Sequence, residues 1–192
     1  MSNVIKAVSE YLSNEELTLF EKTYQDKYHE YKGLEIYPGY KLTDYIDNII
    51  LRLSEFKVAP ESLYVALLVK SKKNDLKQIE EIYGNDTKIM LEALAKIDGV
   101  KEKTNNDIDN DNYRKIFLAL AKDYRVIVLK LVMQEQLLLS INDIESDHAK
   151  NLAQESLDVF SPIAHRLGIS SIKTNLENKS LYILNNEDYI YI

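Results

Sequence analysis

The stretch from Glu155 to Asn178, ESLDVFSPIAHRLGISSIKTNLEN, constrains the fold more than any other part of the chain. Leu157, Phe160, Ile163, Ala164 and Leu167 recur at steps of three and four, the spacing of one helical face. Pro162 falls inside that face. It has no N–H to donate, so it starts a new turn rather than continuing the old one. Gly168 stands where a helix needs a left-handed stop. Ser170 and Ser171 offer oxygens to cap the next helix, whose apolar face begins with Ile172 and Leu176. The stretch therefore reads as helix, break, short helix, stop, helix.

The same periodicity runs through the rest of the chain. Ser13 and Glu16 form an S-x-x-E capping box, followed by Leu17, Phe20, Tyr24, Tyr28 and Tyr31 at helical steps. That aromatic stripe suits core packing better than a surface for stacking nucleotides. Residues 33–41 form a turn-rich link with Pro38-Gly39 as its strongest turn signal. Tyr45, Ile46, Ile49, Ile50, Leu53 and Phe56 make a second face, and Pro60 opens the helix through Leu63, Ala66 and Leu67. Leu76 to Tyr83, closed by Gly84, and Ile89 to Ile97 predict two more helices. Residues 105–112, rich in Asn and Asp, predict an exposed loop, and they lack the glycine and ligand order of an EF-hand. Tyr113, Ile116, Phe117, Leu120 and Tyr124 make the next face. Asp123 is placed to cap a helix through Val126, Leu129, Lys130, Met133 and Leu137, and Ser146 starts the helix that enters the opening stretch. No alternation at period two is long enough for a strand.

With only 5 Gly and 3 Pro in 192 residues, the composition agrees with an all-α fold of many helices, and the length suits a single domain over residues 1–192. There is no cysteine, hence no disulfide framework and no thiolate metal site. No apolar run has the length of a membrane helix, and the N-terminus lacks the pattern of a signal peptide, so a cytoplasmic location without membrane contact is expected. The net charge of −7 argues against nucleic acid as a direct partner. The only imidazoles are His29, His148 and His165, a small supply for metal or acid–base chemistry.

The 155–178 stretch resembles the PLAHRLGI…IK…LED run of the RelA/SpoT-type (p)ppGpp synthetase/hydrolase family. Glu155, Pro162, Ala164, His165, Arg166, Leu167, Gly168, Ile169, Ile172, Lys173, Leu176 and Glu177 stand in matching places. Upstream, NYRKIFLALAKDYRVIVLKL (residues 112–131) resembles the family's N-RKM-LAM--D-RV--IKL. Residues 62–100 resemble its ALLHD region, with Ile79, Tyr83 and Gly84 matching I---FG. The resemblance spans roughly residues 30–192. It implies an HD-domain-like fold of orthogonally packed helices with little or no sheet. In active members this domain removes the 3′-pyrophosphate of (p)ppGpp with the help of Mn²⁺.

The departures from the family bear on function. After Ala66, Leu67 and Leu68, the His-Asp pair of the family is replaced by Val69 and Lys70. The resemblance puts the upstream ligand position on Tyr45 and the downstream one on Met133. The assisting acidic pair falls on Lys73 and Asn74, the loop arginine on Ile36 and a family asparagine on Leu137. Neither valine nor methionine supplies the oxygen or imidazole donors that Mn²⁺ takes, and a lysine brings charge of the wrong sign. In the family, His165 belongs to a structural run. The Lys70-Ser71-Lys72-Lys73 run reads as a solvated loop rather than a phosphate site.

The resulting expectation is a pseudo-HD domain with no catalytic residues, metal or cofactor. It would be the N-terminal part of a longer GTP pyrophosphokinase of the stringent response, with the adjoining (p)ppGpp synthetase domain as its partner and oligomeric state left open. Two rivals stand beside it. One is an active hydrolase whose metal site has moved toward His29 or His148, and the other is a free-standing helical interaction module.

Overall fold

A computed structural model of the chain describes residues 3–71, 75–103, 110–120, 123–143 and 146–185. The described residues form helices and one small hairpin, in the order α1 (Asn3–Ser9), α2 (Asn14–Tyr31), β1 (Glu35–Tyr37), β2 (Tyr40–Lys41), α3 (Leu42–Glu55), α4 (Pro60–Leu68), α5 (Leu76–Tyr83), α6 (Asn85–Lys103), α7 (Asn110–Leu120), α8 (Tyr124–Leu139), α9 (Asp147–Glu155), a π-helical turn (Ser156–Phe160), α10 (Ser161–Arg166) and α11 (Ser170–Leu184). This is an all-α fold, as the helical spacing and the low glycine and proline content imply, and it agrees with the HD-domain-like fold that the resemblance implies. None of the described helices is long and apolar enough to cross a membrane.

The contacts group into two compact units. One comprises the described residues of 1–96 and 123–129, the other those of 97–122 and 130–192. In the first, α1 packs on α3, and α4 packs on both α2 and α3. Its core holds Val8, Phe20, Ile49, Ile50, Leu53, Leu63, Val65, Leu67 and Met90, all buried. Each large side chain so buried contributes about 1.5–3 kcal/mol. In the second, α11 packs on α9, on α10 and on the π-helical turn, which also touches α7. Phe117, Phe160, Ile163, Ala164, Ile172 and Leu176 are its buried centre.

The local signals act as their chemistry dictates. Ser13 Oγ accepts from the Glu16 amide at 3.3 Å, while Glu16 Oε2 accepts from the Ser13 amide at 2.8 Å, which closes the capping box. Pro60 sits in the first turn of α4, and Gly84 ends α5. Asp123 Oδ1 accepts from the Arg125 amide at 2.9 Å, and Ser146 Oγ from the Ala149 amide at 3.2 Å. After α10 the chain makes a Schellman stop. The Ile169 amide reaches Ala164 O and the Gly168 amide reaches His165 O, both at 3.0 Å, with Gly168 at φ 72°.

Other expectations need correction. The 33–41 link is a two-stranded hairpin. Pro38 and Gly39, the latter at φ 85°, supply the paired conformations of a two-residue turn, and Tyr37 pairs with Tyr40. The strands are too short for alternation to show. α1 has seven residues, fewer than periodicity needs. Of the predicted loop at 105–112, residues 105–109 lie outside the described residues, and the rest opens α7 rather than a loop. Tyr124 does not extend the α7 face: it begins α8 and is 69% exposed. Ser170 and Ser171 lie inside α11, and the capping position is Ile169, whose side chain makes no cap bond.

Pro162 breaks the helix pattern without leaving helical backbone. The Ser161 amide bonds to Ser156 O, five residues back, so one extra residue enters the turn before Pro162. That residue shifts the apolar face. Ser156 and Ser161 are buried, whereas Leu167, assigned to the face by spacing, is exposed. Pro162 also leaves the Asp158 carbonyl without its usual helical donor. Arg114 of α7 supplies one, Nη1 to Asp158 O at 3.2 Å.

Candidate functional site

In the first unit, α2, the hairpin, α3 and the C-terminal end of α4 converge. Tyr45, on the first turn of α3, is 3% exposed and meets Tyr40 of β2 edge-on, with ring centroids 6.1 Å apart. Val69 is half-buried at the end of α4, its amide bonded to Val65 O at 2.9 Å, and Lys70 is exposed beyond it. Lys73 and Asn74 lie outside the described residues.

Two contacts join α2 to the end of α4 around Val69. The Tyr31 hydroxyl donates to Leu67 O at 2.6 Å in the interior. Burial, with a smaller effect from Glu30, raises the Tyr31 pKa well above the ordinary phenol value, so the group stays a donor. Nearer the surface, Lys27 Nζ donates to Glu30 Oε2 at 2.7 Å and to Ser71 Oγ at 2.8 Å, and Ser71 Oγ donates to Glu30 Oε1 at 2.8 Å. The serine of the lysine-rich run is thus part of a clasp between α2 and the turn after α4.

Beside these contacts, Tyr24, Gln25, Tyr28, His29 and Asp47 line a cleft of about 310 Å³. The aromatic stripe therefore divides. Phe20 and Tyr31 are core, whereas Tyr24 is half-buried and Tyr28 is 44% exposed in the cleft. Tyr24 and Tyr28 are one helical turn apart, with centroids at 5.9 Å. The Tyr24 hydroxyl donates to Asp47 Oδ1 at 2.9 Å. Burial raises the Asp47 pKa above its ordinary value, Tyr24 partly offsets this, and Asp44 adds to it. Spacing alone did not single out Asp47, because it is the lone acid on the α3 side of a cleft that only the fold assembles.

In the second unit, Met133 of α8 is 5% exposed. Ile36, aligned to the family's loop arginine, is half-buried in β1 of the first unit. Leu137, aligned to the family asparagine, is half-buried on α8. The two residues after Met133 carry a polar network that sequence reading missed. Gln134 Nε2 donates to Ser156 Oγ at 2.9 Å, and Ser156 Oγ donates on to Leu152 O at 2.7 Å. Glu135, 0% exposed, accepts from Asn175 Nδ2 at 2.7 Å. Residues 131–135 are all buried, so α8 shows no polar stripe there. Lys173 Nζ and, from the start of α10, Ser161 Oγ donate to Glu177 at 2.6 and 2.7 Å, and hold its carboxyl below the usual range. His148 and His165 are exposed on α9 and α10.

Among the described residues no three His, Asp or Glu side chains gather as metal ligands. Valine, lysine and methionine at 69, 70 and 133 also do not form a donor set for Mn²⁺, which takes carboxylate oxygen and imidazole nitrogen. The residues present at these positions do not fit the ion.

The profile of the HD domain family matches residues 27–170, and the chain belongs to that family. Within it, the chain is of the RelA/SpoT type. It is 32% identical over 128 residues to the bifunctional (p)ppGpp synthase/hydrolase SpoT of Escherichia coli K12, a match covering 65% of this chain and 18% of that protein. It is 32% identical over 145 residues to guanosine-3′,5′-bis(diphosphate) 3′-pyrophosphohydrolase of Aquifex aeolicus, covering 74% of this chain and 20% of that protein. The protein of the same name from Spiroplasma citri is 29% identical over 140 residues, covering 71% and 19%. The matched region is about a fifth of the length of these curated relatives.

Proposed function

We propose that this chain is a pseudo-HD domain, inactive as a (p)ppGpp pyrophosphohydrolase, that serves as a structural and regulatory domain for an adjoining (p)ppGpp synthetase domain of a GTP pyrophosphokinase. In this reading residues 1–192 act as one cytoplasmic domain, with no metal, no cofactor and no nucleic acid partner. The observation that carries it is the side chains at the aligned ligand positions, Tyr45, Val69, Lys70 and Met133. Without the cation, the hydrolysis would lose both the activated water and the clamp on phosphate oxygens. Regulation needs only a differential contact energy of about 1–3 kcal/mol between two states of the partner domain.

A second reading, an active pyrophosphohydrolase with a relocated site, is favoured by the names of the relatives, which include 3′-pyrophosphohydrolases. His29 and His148 are the imidazoles it would draw on. One experiment separates the two. The purified chain is incubated with ppGpp and Mn²⁺, pyrophosphate release is followed, and bound metal is assayed in the same sample. The pseudo-HD reading expects no release, no bound metal, and the same melting temperature in Mn²⁺ as in EDTA, because a cation that binds only the native state raises stability with its concentration. Metal-dependent release would overturn it. Regulation is tested in the longer protein: if removing this domain left the rate and control of (p)ppGpp synthesis unchanged, the regulatory role would fall.

A further inference from the structure

The cleft between α2 and α3 has a chemical character of its own, which does not depend on the proposed function. Tyr24 and Tyr28 present two aromatic rings one helical turn apart, and Tyr28 remains open to solvent. Asp47 lines the same cleft from α3 and is half-buried. One of its oxygens is held by the Tyr24 hydroxyl at 2.9 Å, and the other accepts nothing from the described residues. A half-buried carboxylate with one oxygen paired to no protein donor suits a ligand that supplies both charge and N–H groups.

Lys27, a cation close by, does not do so. Lys27 lines the narrow continuation of the cleft with Tyr31, Thr43, Ile46 and Leu67. Its ammonium is bound to Glu30 and Ser71. An anion would meet the charge of Asp47, with Asp44 close enough to act on it. A neutral aromatic ring could stack on the tyrosines but would leave the carboxylate oxygen unpaired unless it carried a donor edge. A guanidinium meets every demand. It is flat, it stacks on aromatic faces, and its forked N–H groups pair with a carboxylate.

We propose that the Tyr24–Tyr28–Asp47 cleft binds a guanidinium group, stacked on the tyrosines and hydrogen-bonded to Asp47, with Gln25 and His29 at its rim. The group arrives either on a free guanidino compound or as an arginine side chain of a polypeptide. The test titrates the ¹⁵N-labelled 192-residue chain with agmatine and, separately, with N-acetylarginine methylamide, with acetate as an anion control that should not bind. The expected result is a saturable shift of the amides at 24–28 and 47 with at least one of the two probes. Binding of agmatine alone identifies a small molecule, of the capped arginine alone a polypeptide side chain, and of both the guanidinium as sufficient. Affinity falls about tenfold in Asp47→Asn and in Tyr28→Leu, and is retained in Tyr28→Phe, since the ring rather than the hydroxyl makes the contact. Tyr28 is exposed, so its variants keep the fold. Absence of saturable shifts with both probes, or equal binding by wild type, Asp47→Asn and Tyr28→Leu, overturns the proposal.

Discussion

The Tyr31 hydroxyl donates to the Leu67 carbonyl at 2.6 Å, two residues before Val69, and so ties the end of α2 to the end of α4 by a buried hydrogen bond. Nearer the surface, the Lys27–Glu30–Ser71 clasp joins α2 to the turn after α4 a second time.

Replacing Tyr31 by Phe keeps the ring and removes the donor. The expected loss is about 1–3 kcal/mol, because Leu67 O loses a partner in the interior. Urea unfolding monitored by circular dichroism measures it. The exposed part of the clasp is worth less, so Lys27→Met costs under about 1 kcal/mol. Equal losses in the two variants would show that the buried bond is not the stronger tie.

Arg114 and Pro162 act as a coupled pair. Arg114 Nη1 donates to Asp158 O, the carbonyl that Pro162 deprives of a helical donor. Arg114→Met therefore costs about 1–3 kcal/mol in the native sequence. In a Pro162→Ala background the alanine amide supplies a local donor, and the same substitution costs less. A double-mutant cycle on denaturant midpoints reads the difference, and strict additivity would refute the coupling.

Asp47 makes stability depend on pH with a definite sign. Its folded pKa is raised, chiefly by burial, so the native state holds its proton over a window in which the unfolded chain has already released it. In that window stability falls as pH rises. The penalty is absent below the unfolded value and complete above the raised folded one. Asp47→Asn keeps an oxygen for the Tyr24 hydroxyl and removes the titration. The variant gains stability over wild type from mildly acidic to neutral pH and matches it at the acid end. Melting curves across pH check this, and a constant difference at every pH would refute it.

Much of the fold is legible without coordinates because its signals are local. The Ser13–Glu16 box, Pro60, Gly84, Asp123, Ser146 and the Gly168 stop each act on backbone groups within a few residues. The 155–178 run is readable for the same reason, and it carried the family resemblance, of which the profile match shows the HD domain. Short elements were lost: α1 and the hairpin strands hold too few residues for any period. So were stretches buried on all sides. Residues 62–68 and 131–135 have no polar face, so spacing could not mark Glu135 or Gln134 as buried polar groups.

Helix positions, caps and stops follow from the amino-acid order, since hydrogen bonds from residue i to i−4 and cap bonds involve near neighbours. The choice of residues at 69, 70 and 133 is equally plain in the chain itself. Tertiary structure alone decided which distant groups meet: Tyr31 with Leu67, Arg114 with Asp158, Asn175 with Glu135, and Asp47 with the rings of Tyr24 and Tyr28. Such pairings depend on how helices pack. Packing responds to the shape and volume of whole faces, a property that no single stretch of sequence contains.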